Sequence, residues 1–435
     1  MLQTACRPAD LPCNEIMRQS RTGQTRTIGS ALEEQNGLGA GFDFLRVALA
    51  ISVLLWHEPY VLMGETGIDL DQTWIAWFAG YGVLVMFFAL SGFLITASAM
   101  RLGIAQFLLN RGLRIIPALA VEIFLSVLLI GPVFTSLAKI DYFHSSHTYL
   151  YFTNIIGVIN YFLPGVFTSN PAPEINNSLW TVPFEYFCYA IMAAFIVLGL
   201  LRRRRLIAAS AIAFIVLCLI LQFRGHIAPS QYSATTATEQ SMIDKLLGTA
   251  LFLGRGSRLI VAFLLGVVAF LYRDRLPYHR GILAICAGLC VAAAVLGPAP
   301  WLVFSILNAF VAPALVYVTV FLGVTKLPRL PIFSRGDYSY GIYLYGFPIQ
   351  QAVKSLLPTA GAAMHLGISL LAIILFAALS WHLLEKPILR MRRRFSFVSR
   401  QRLSDTIEPT MEEARSPNGS DTHHIAALGD AVIKP

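Results

Sequence analysis

The chain has 435 residues, of which 56% are hydrophobic and only 13% charged, about half the charged fraction of an ordinary soluble domain. So few charges cannot cover the surface of soluble domains this size, which excludes a disordered chain or an ordinary soluble enzyme and makes lipid the expected solvent. The net charge of +9 comes from short basic clusters between apolar runs and not from one basic stripe, so no nucleic-acid partner is expected.

Residues 1–41 are polar, rich in Ser, Thr, Gln and Arg, and are expected to form a mobile cytoplasmic arm. A membrane-crossing helix needs about 20 mostly apolar residues. Runs approaching that length occupy 44–63, 77–97, 115–135, 183–201, 206–222, 259–272, 281–297, 301–323, 338–357 and 363–384. The sequence therefore predicts an all-α, polytopic membrane domain over 42–390 with about ten spans, and a second mobile tail over 391–435. With the N-terminus inside, 26 Lys and Arg fall in inner segments and 6 in outer ones, the bias that holds basic residues in cytoplasmic loops. Both termini are thus expected in the cytoplasm. The segment 223–258 goes against the rule with Arg224, Lys245, Arg255 and Arg258, and reads as amphipathic or re-entrant, or as a miscounted span. The outer segment 136–182 carries Tyr149, Tyr151, Phe152, Tyr161 and Phe162, which suits a helix lying in the membrane interface.

Ionisable residues inside spans are expensive, so each is a functional candidate. Arg46 and His57 share the first run, on one helix face and roughly 16 Å apart. Arg46 either snorkels to lipid headgroups or serves a site. His57 either hydrogen-bonds a neighbouring helix or acts as a general base, the commonest task of imidazole near neutral pH. In the second run Ser91 and Gly92 put small residues where another helix or a thin ligand approaches closely. Arg111 and Arg114, before the third run, are spaced to chelate phosphate together, or are plain topological charge. Glu122 is a buried acid able to pair with an arginine. Asn177, Trp180 and Glu185 offer an amide, an indole and a carboxylate at the outer mouth of the fourth span, which suits a sugar, or else form an interfacial aromatic belt. Ser339, Tyr340 and Tyr343 make the start of the ninth span unusually polar. His144 and His147 read as surface histidines, the six cysteines show no framework, and no metal site is expected.

These segments together resemble the acyltransferase-3 family of polytopic membrane acyltransferases, which includes O-antigen, exopolysaccharide and Nod-factor acetylases. The resemblance rests on Arg46-x10-His57, Phe87 to Ile95 with its Leu-Ser-Gly-Phe-Leu-Ile core, Arg111-x-x-Arg114, Leu179-Trp180 with Glu185, Ser339 to Leu344, and Glu385-Lys386-Pro387. They occur in family order from about 42 to 390. Gly346 departs from the pattern, since many members have His there.

The resemblance implies transfer of an acyl group, usually acetyl, from cytoplasmic acyl-CoA as co-substrate to a carbohydrate hydroxyl on the outer side of a bacterial inner membrane. No bound cofactor is implied. Arg111, Arg114 and Arg46 are expected to hold the donor's phosphates. His57 is expected to deprotonate the acceptor or carry the acyl group, with Glu185 orienting imidazole or sugar and Asn177 and Trp180 binding the acceptor. Membrane lipid and polysaccharide synthesis or export machinery are the other expected partners. A transporter of amphipathic solutes is the alternative, disfavoured by the lack of internal repeats.

Overall fold

The computed structural model describes residues 26–391 except 36, 38, 65–77, 226–254, 297–300 and 328–335. The expectations for residues 1–25, for most of 223–258 and for 392–435 fall outside the described residues. The chain divides into two units, Met1–Ile388, which holds the bundle, and Leu389–Pro435.

Among the described residues the structure is helical, with two isolated β-bridges and no longer strand. The short α1, Ile28–Glu33, opens with Thr27 and Ser30 capping one another's backbone, which satisfies two of the donors a helix start leaves free. It buries Ile28, Ala31 and Leu32. The backbone N–H groups of Ile28 and Gly29 donate to the carbonyls of Leu276 and Arg273, and Gln35 donates to the carbonyl of Val324. The mobile arm expected over 1–41 therefore does not extend to its last part. One helical turn is too short to register as an apolar run, and its partners lie far away in sequence.

Each predicted apolar run overlaps a helix: α2 Phe42–Met63, α3 Val83–Ala99, α4 Ile104–Leu125, α5 Val182–Val197, α6 Arg204–Gly225, α7 Arg255–Leu271, α8 Arg280–Leu296, α9 Trp301–Val324, α10 Ser339–Leu356 and α11 Ala362–Ser380. With their flanking turns, and counted over the described residues, five are long and apolar enough to cross a membrane: Phe42–Met63, Gly80–Ala99, Ile104–Phe134, Asn177–Val197 and Ala362–Arg390. The expected ten spans are not reached by that measure. Some helices fall short in length, such as α7 and α8 with 17 residues each, while α10 buries Ser339, Gln350 and Gln351. Large apolar side chains also face outward, as with Leu371 at 73% and Leu383 at 75% exposure. Apolar residues on both the packed and the open faces mark helices whose solvent is lipid. Their length and composition point to a membrane protein.

The third helix begins earlier than its apolar run. Arg111 and Arg114 lie inside α4 and not ahead of it. Past α4, π-helical and α-helical turns carry the chain on to Phe134. The segment expected outside then folds as two short helices, Lys139–His144 and Ser146–Leu150, and a 3-10 turn, Tyr151–Ile156, with Ile140, Tyr149 and Ile156 exposed. His144 and His147 are exposed as well. Arg258, one of the cations against the charge rule, donates to the Gly80 carbonyl and covers the Tyr81 ring.

Helix α3 packs closely on α7. A Cβ on Gly92 would lie 2.1 Å from the Phe263 carbonyl oxygen, and one on Gly266 2.2 Å from that of Ala89, so both helices use glycine to let backbones touch. Of the two uses weighed for the Ser91-Gly92 pair, Gly92 thus serves packing, and Ser91 is half-buried beside it. Helix α10 packs between α2 and α11. Its Pro348 cannot donate to the carbonyl of Leu344, four residues earlier, and the Asn176 amide fills that vacancy at 2.9 Å.

A methyl at Gly92 should destabilise the fold by about 1–3 kcal/mol, the usual cost of overpacking. Gly92→Ala is expected to lower the melting temperature of the detergent-solubilised protein, with Ser91→Ala near wild type. An unchanged Gly92→Ala melting curve would mean that the α3–α7 contact is not held this closely.

Candidate active site

At the Phe42 end of the bundle, four helices bring charges together. Arg114 of α4 reaches Asp337 at 2.6 Å and Glu385, in the π-helical turn after α11, at 3.2 Å. Arg46 of α2 reaches the same Asp337 oxygen at 3.4 Å and Asp43 at 3.5 Å. Ser339 at the start of α10 donates to the other Asp337 oxygen, and the Arg114 guanidinium also lies over the rings of Tyr340 and Trp381. Burial by itself would raise the Asp337 pKa, but Arg114 and then Arg46, with Ser339, outweigh it and hold the carboxyl at about 2. Asp337 is therefore ionised at any physiological pH. The Tyr340 hydroxyl donates to the carbonyl of Ile115.

This arrangement changes the expected roles of the arginines. Arg46 and Arg114 are each already paired with carboxylates. Arg111 has no ion pair among the described residues, and its Nε is buried without a hydrogen-bond partner. Of the three arginines it is the least committed.

The expected pairing of Glu185 with His57 is not made. Glu185 accepts a 2.5 Å hydrogen bond from Tyr189, one turn along its own helix, and lies in electrostatic reach of Arg114 and Arg111. The cause is the path of the chain before α5. Asn176 caps the 3-10 turn Asn177–Thr181 through the Ser178 N–H, and its amide donates to Glu122 and to the Leu344 carbonyl. Thr181 meets the Tyr343 hydroxyl at 2.6 Å, and the same hydroxyl lies 3.0 Å from the Ser178 carbonyl oxygen. These bonds draw the start of α5 into the bundle, so Glu185 belongs to the arginine end. Glu122, for its part, accepts from Ser126 and Asn176 and not from an arginine. Asn177 and Trp180 are half-buried. Trp180 sits edge-on to Phe184, and the amide that ties this turn to the bundle is Asn176, not Asn177.

Toward the Met63 end of α2, His57 is buried and meets the Phe347 ring edge-on at 5.1 Å. No hydrogen bond or ion pair of its imidazole occurs among the described residues. Beside it lies a polar unit that sequence reasoning missed. Glu58 Oε1 is 2.6 Å from His365 Nδ1, Glu58 Oε2 accepts from the Gln350 amide at 2.7 Å, and His365 Nε2 is 3.1 Å from the Gln350 carbonyl oxygen. Both imidazole nitrogens thus have a polar partner. The unit joins α2, α10 and α11 and does not include His57. Glu58 stood next to His57 in sequence, but His365 lies 307 positions away from it, and no local signal links them. The signals for Asp337 and Glu385 were there, as acids at the ends of apolar runs opposite basic ones. No group of three or more metal-ligating side chains occurs among the described residues, and Cys188, Cys218, Cys286 and Cys290 are free thiols.

Residues 40–384 match the family model for an acyltransferase domain. Curated relatives include an O-acetyl transferase of Shigella phage Sf6, 26% identical over 80% of this chain and 95% of that protein. Nodulation protein 10 of Rhizobium leguminosarum bv. viciae is 27% identical over 84% of this chain and 97% of its own length. A putative peptidoglycan O-acetyltransferase of Bacillus subtilis is 24% identical over 80% of this chain and 54% of its length. No solved structure matches the chain. A family match running from the turn before α2 into the π-helical turn after α11 takes in Arg46, Arg114, Asp337 and His57, and on it the chain belongs to the acyltransferase-3 family and is an acyltransferase.

Proposed function

We propose that this protein is an O-acyltransferase that moves an acyl group, in the simplest case acetyl, from cytoplasmic acyl-CoA to a hydroxyl of a cell-envelope or exported carbohydrate. It would sit in a bacterial inner membrane with both termini cytoplasmic, among lipid and the polysaccharide synthesis or export machinery. The observation that carries the reading is His57, a buried imidazole without a polar partner among the described residues, on the same helix as Arg46 and well along it. Two relatives named as O-acetyl transferases support the acyl group and the hydroxyl acceptor.

In this reading the Phe42 end takes the donor. Arg111 is the main phosphate partner, because its guanidinium is the least committed, and Arg46 adds the donors its carboxylate pairs leave over. Arg114 holds the cluster together. Glu185 belongs with the donor and not with the imidazole. The thin pantetheine arm carries the thioester from the arginines toward His57. His57 takes the acceptor hydroxyl's proton as the oxygen attacks the thioester carbonyl; the new C–O bond forms, the C–S bond breaks, and the imidazolium returns the proton to the departing thiolate. Asn177 and Trp180 are the acceptor partners that the resemblance implies.

His57→Ala should lower transfer from labelled acetyl-CoA to glycan by at least about a hundredfold, the lower range of general-base assistance, with membrane insertion intact. Wild-type levels of O-acylated product would remove His57 from the chemistry.

The arginines should separate. Arg111→Ala should raise the KM for acyl-CoA about ten- to a hundredfold, the effect of one lost charge-assisted bond, and Glu185→Gln should act on donor parameters too. Arg114→Ala should instead cost about 3–5 kcal/mol of stability, since it leaves the buried Glu385 without its ion pair and Asp337 with Arg46 as its remaining cation from the cluster. Equal, purely kinetic effects of both arginine variants would return Arg114 to the donor.

Reporter fusions after residues 203 and 410 should report cytoplasm and one after 160 the outside, as the distribution of basic residues implies. A cytoplasmic signal at 160 would overturn the orientation.

A further inference from the structure

The region around His57 contains one carboxylate that neither the family motifs nor the reading above uses. Tyr60 lies one turn beyond His57 on the same face of α2. Both rings pack against Phe347, His57 at 5.1 Å and Tyr60 at 6.3 Å between centroids. The Tyr60 hydroxyl donates to Glu174 Oε1 at 2.6 Å. Glu174 is only 8% exposed, yet its other oxygen, Oε2, is buried with no hydrogen-bond partner.

The segment that carries Glu174 is held firmly. The Gln351 amide of α10 donates to the carbonyls of Ala172 at 2.7 Å and Glu174 at 3.0 Å. The Asn170 amide donates to the Gln351 side-chain oxygen at 2.8 Å, and Ser355 donates to Asn170 at 2.9 Å. The Ile175 N–H donates to the Tyr161 carbonyl. A carboxylate fixed this tightly cannot swing out to water to satisfy its second oxygen. Leaving a buried carboxylate oxygen unpaired is costly, so a donor is needed there in the working enzyme.

The geometry points to a hydroxyl of the acceptor as that donor: Glu174 Oε2 binds a second hydroxyl of the carbohydrate while His57 addresses the reacting one. The inference rests on the O-acyltransferase reading and adds an acceptor subsite to it. A carboxylate accepts from hydroxyls and repels phosphates, and Arg46, Arg111 and Arg114 lie toward the opposite end of the bundle, so the donor nucleotide is a poor occupant. Tyr60 orients the carboxylate and, by taking Oε1, leaves Oε2 as the one that selects. The subsite therefore favours acceptors with more than one free hydroxyl over simple alcohols.

The test uses full-length protein in membranes or detergent, labelled acetyl-CoA, and envelope glycan stripped of acyl groups by mild base as the acceptor probe. Glu174→Gln should raise the KM for this glycan about ten- to a hundredfold, the effect of a hydrogen bond to a charged acceptor. The KM for acetyl-CoA and the melting temperature should be unchanged. Tyr60→Phe should shift the glycan KM in the same direction, and the double variant should be no worse than Glu174→Gln, because both act through one oxygen pair. An unchanged glycan KM in Glu174→Gln would overturn the proposal, as would a loss of activity that follows loss of folding or falls equally on the donor KM. No labelling of the glycan by the wild type would instead sink the O-acyltransferase reading itself, and this subsite with it.

Discussion

Asp337 holds two guanidiniums at once, and the bundle's geometry follows from that contact. With Arg46, Arg114 and Glu385 it joins α2, α4, α10 and the turn after α11. Ions withdrawn from water are tolerated only when paired and hydrogen-bonded, so these elements have little freedom to slide. Arg46 to His57 and Asp337 to Phe347 span nearly equal lengths of chain, and helices rise at one rate per residue. Fixing Arg46 beside Asp337 therefore brings His57 to Phe347 at the far end. The Glu58–His365–Gln350 unit joins α2, α10 and α11 at that end.

A second constraint is the need to satisfy backbone groups where no water reaches. Pro348 frees the Leu344 carbonyl, and the Asn176 amide takes it. That bond, with the one to Glu122, anchors the turn before α5 inside the bundle. The depth of Glu185 is a consequence: it lies among Arg111, Arg114 and Tyr189. One side-chain amide thus settles which end of the molecule a carboxylate serves.

These two constraints separate the tasks of the polar residues. Arg114, Asp337 and Glu385 are mutually satisfied and hold elements together. Arg111 Nε and Glu174 Oε2 are buried without partners, and His57 has no polar contact among the described residues. Groups of the first kind explain why the bundle exists. Groups of the second kind have hydrogen-bonding capacity that the bundle itself does not use.

Composition and periodicity alone determined the helical class, the lipid solvent and the helices near all ten apolar runs, because burying apolar side chains and backbone in lipid admits few alternatives. Arg46, His57, Arg111, Arg114 and Ser339 were also legible, as polar residues where an apolar run makes them conspicuous. The folding of residues 26–41 onto the bundle was not, since a single turn carries no period. Nor were the partners of those charges. Sequence spacing set Arg46 and His57 on one helix face, but it could not say that Arg46 and Arg114 would be taken up by Asp337, that Glu185 would leave His57 for the arginines, or that Glu58 would find His365. Those pairings join residues more than fifty positions apart, and helix packing, which brings such residues within reach only after the chain has folded, decided them.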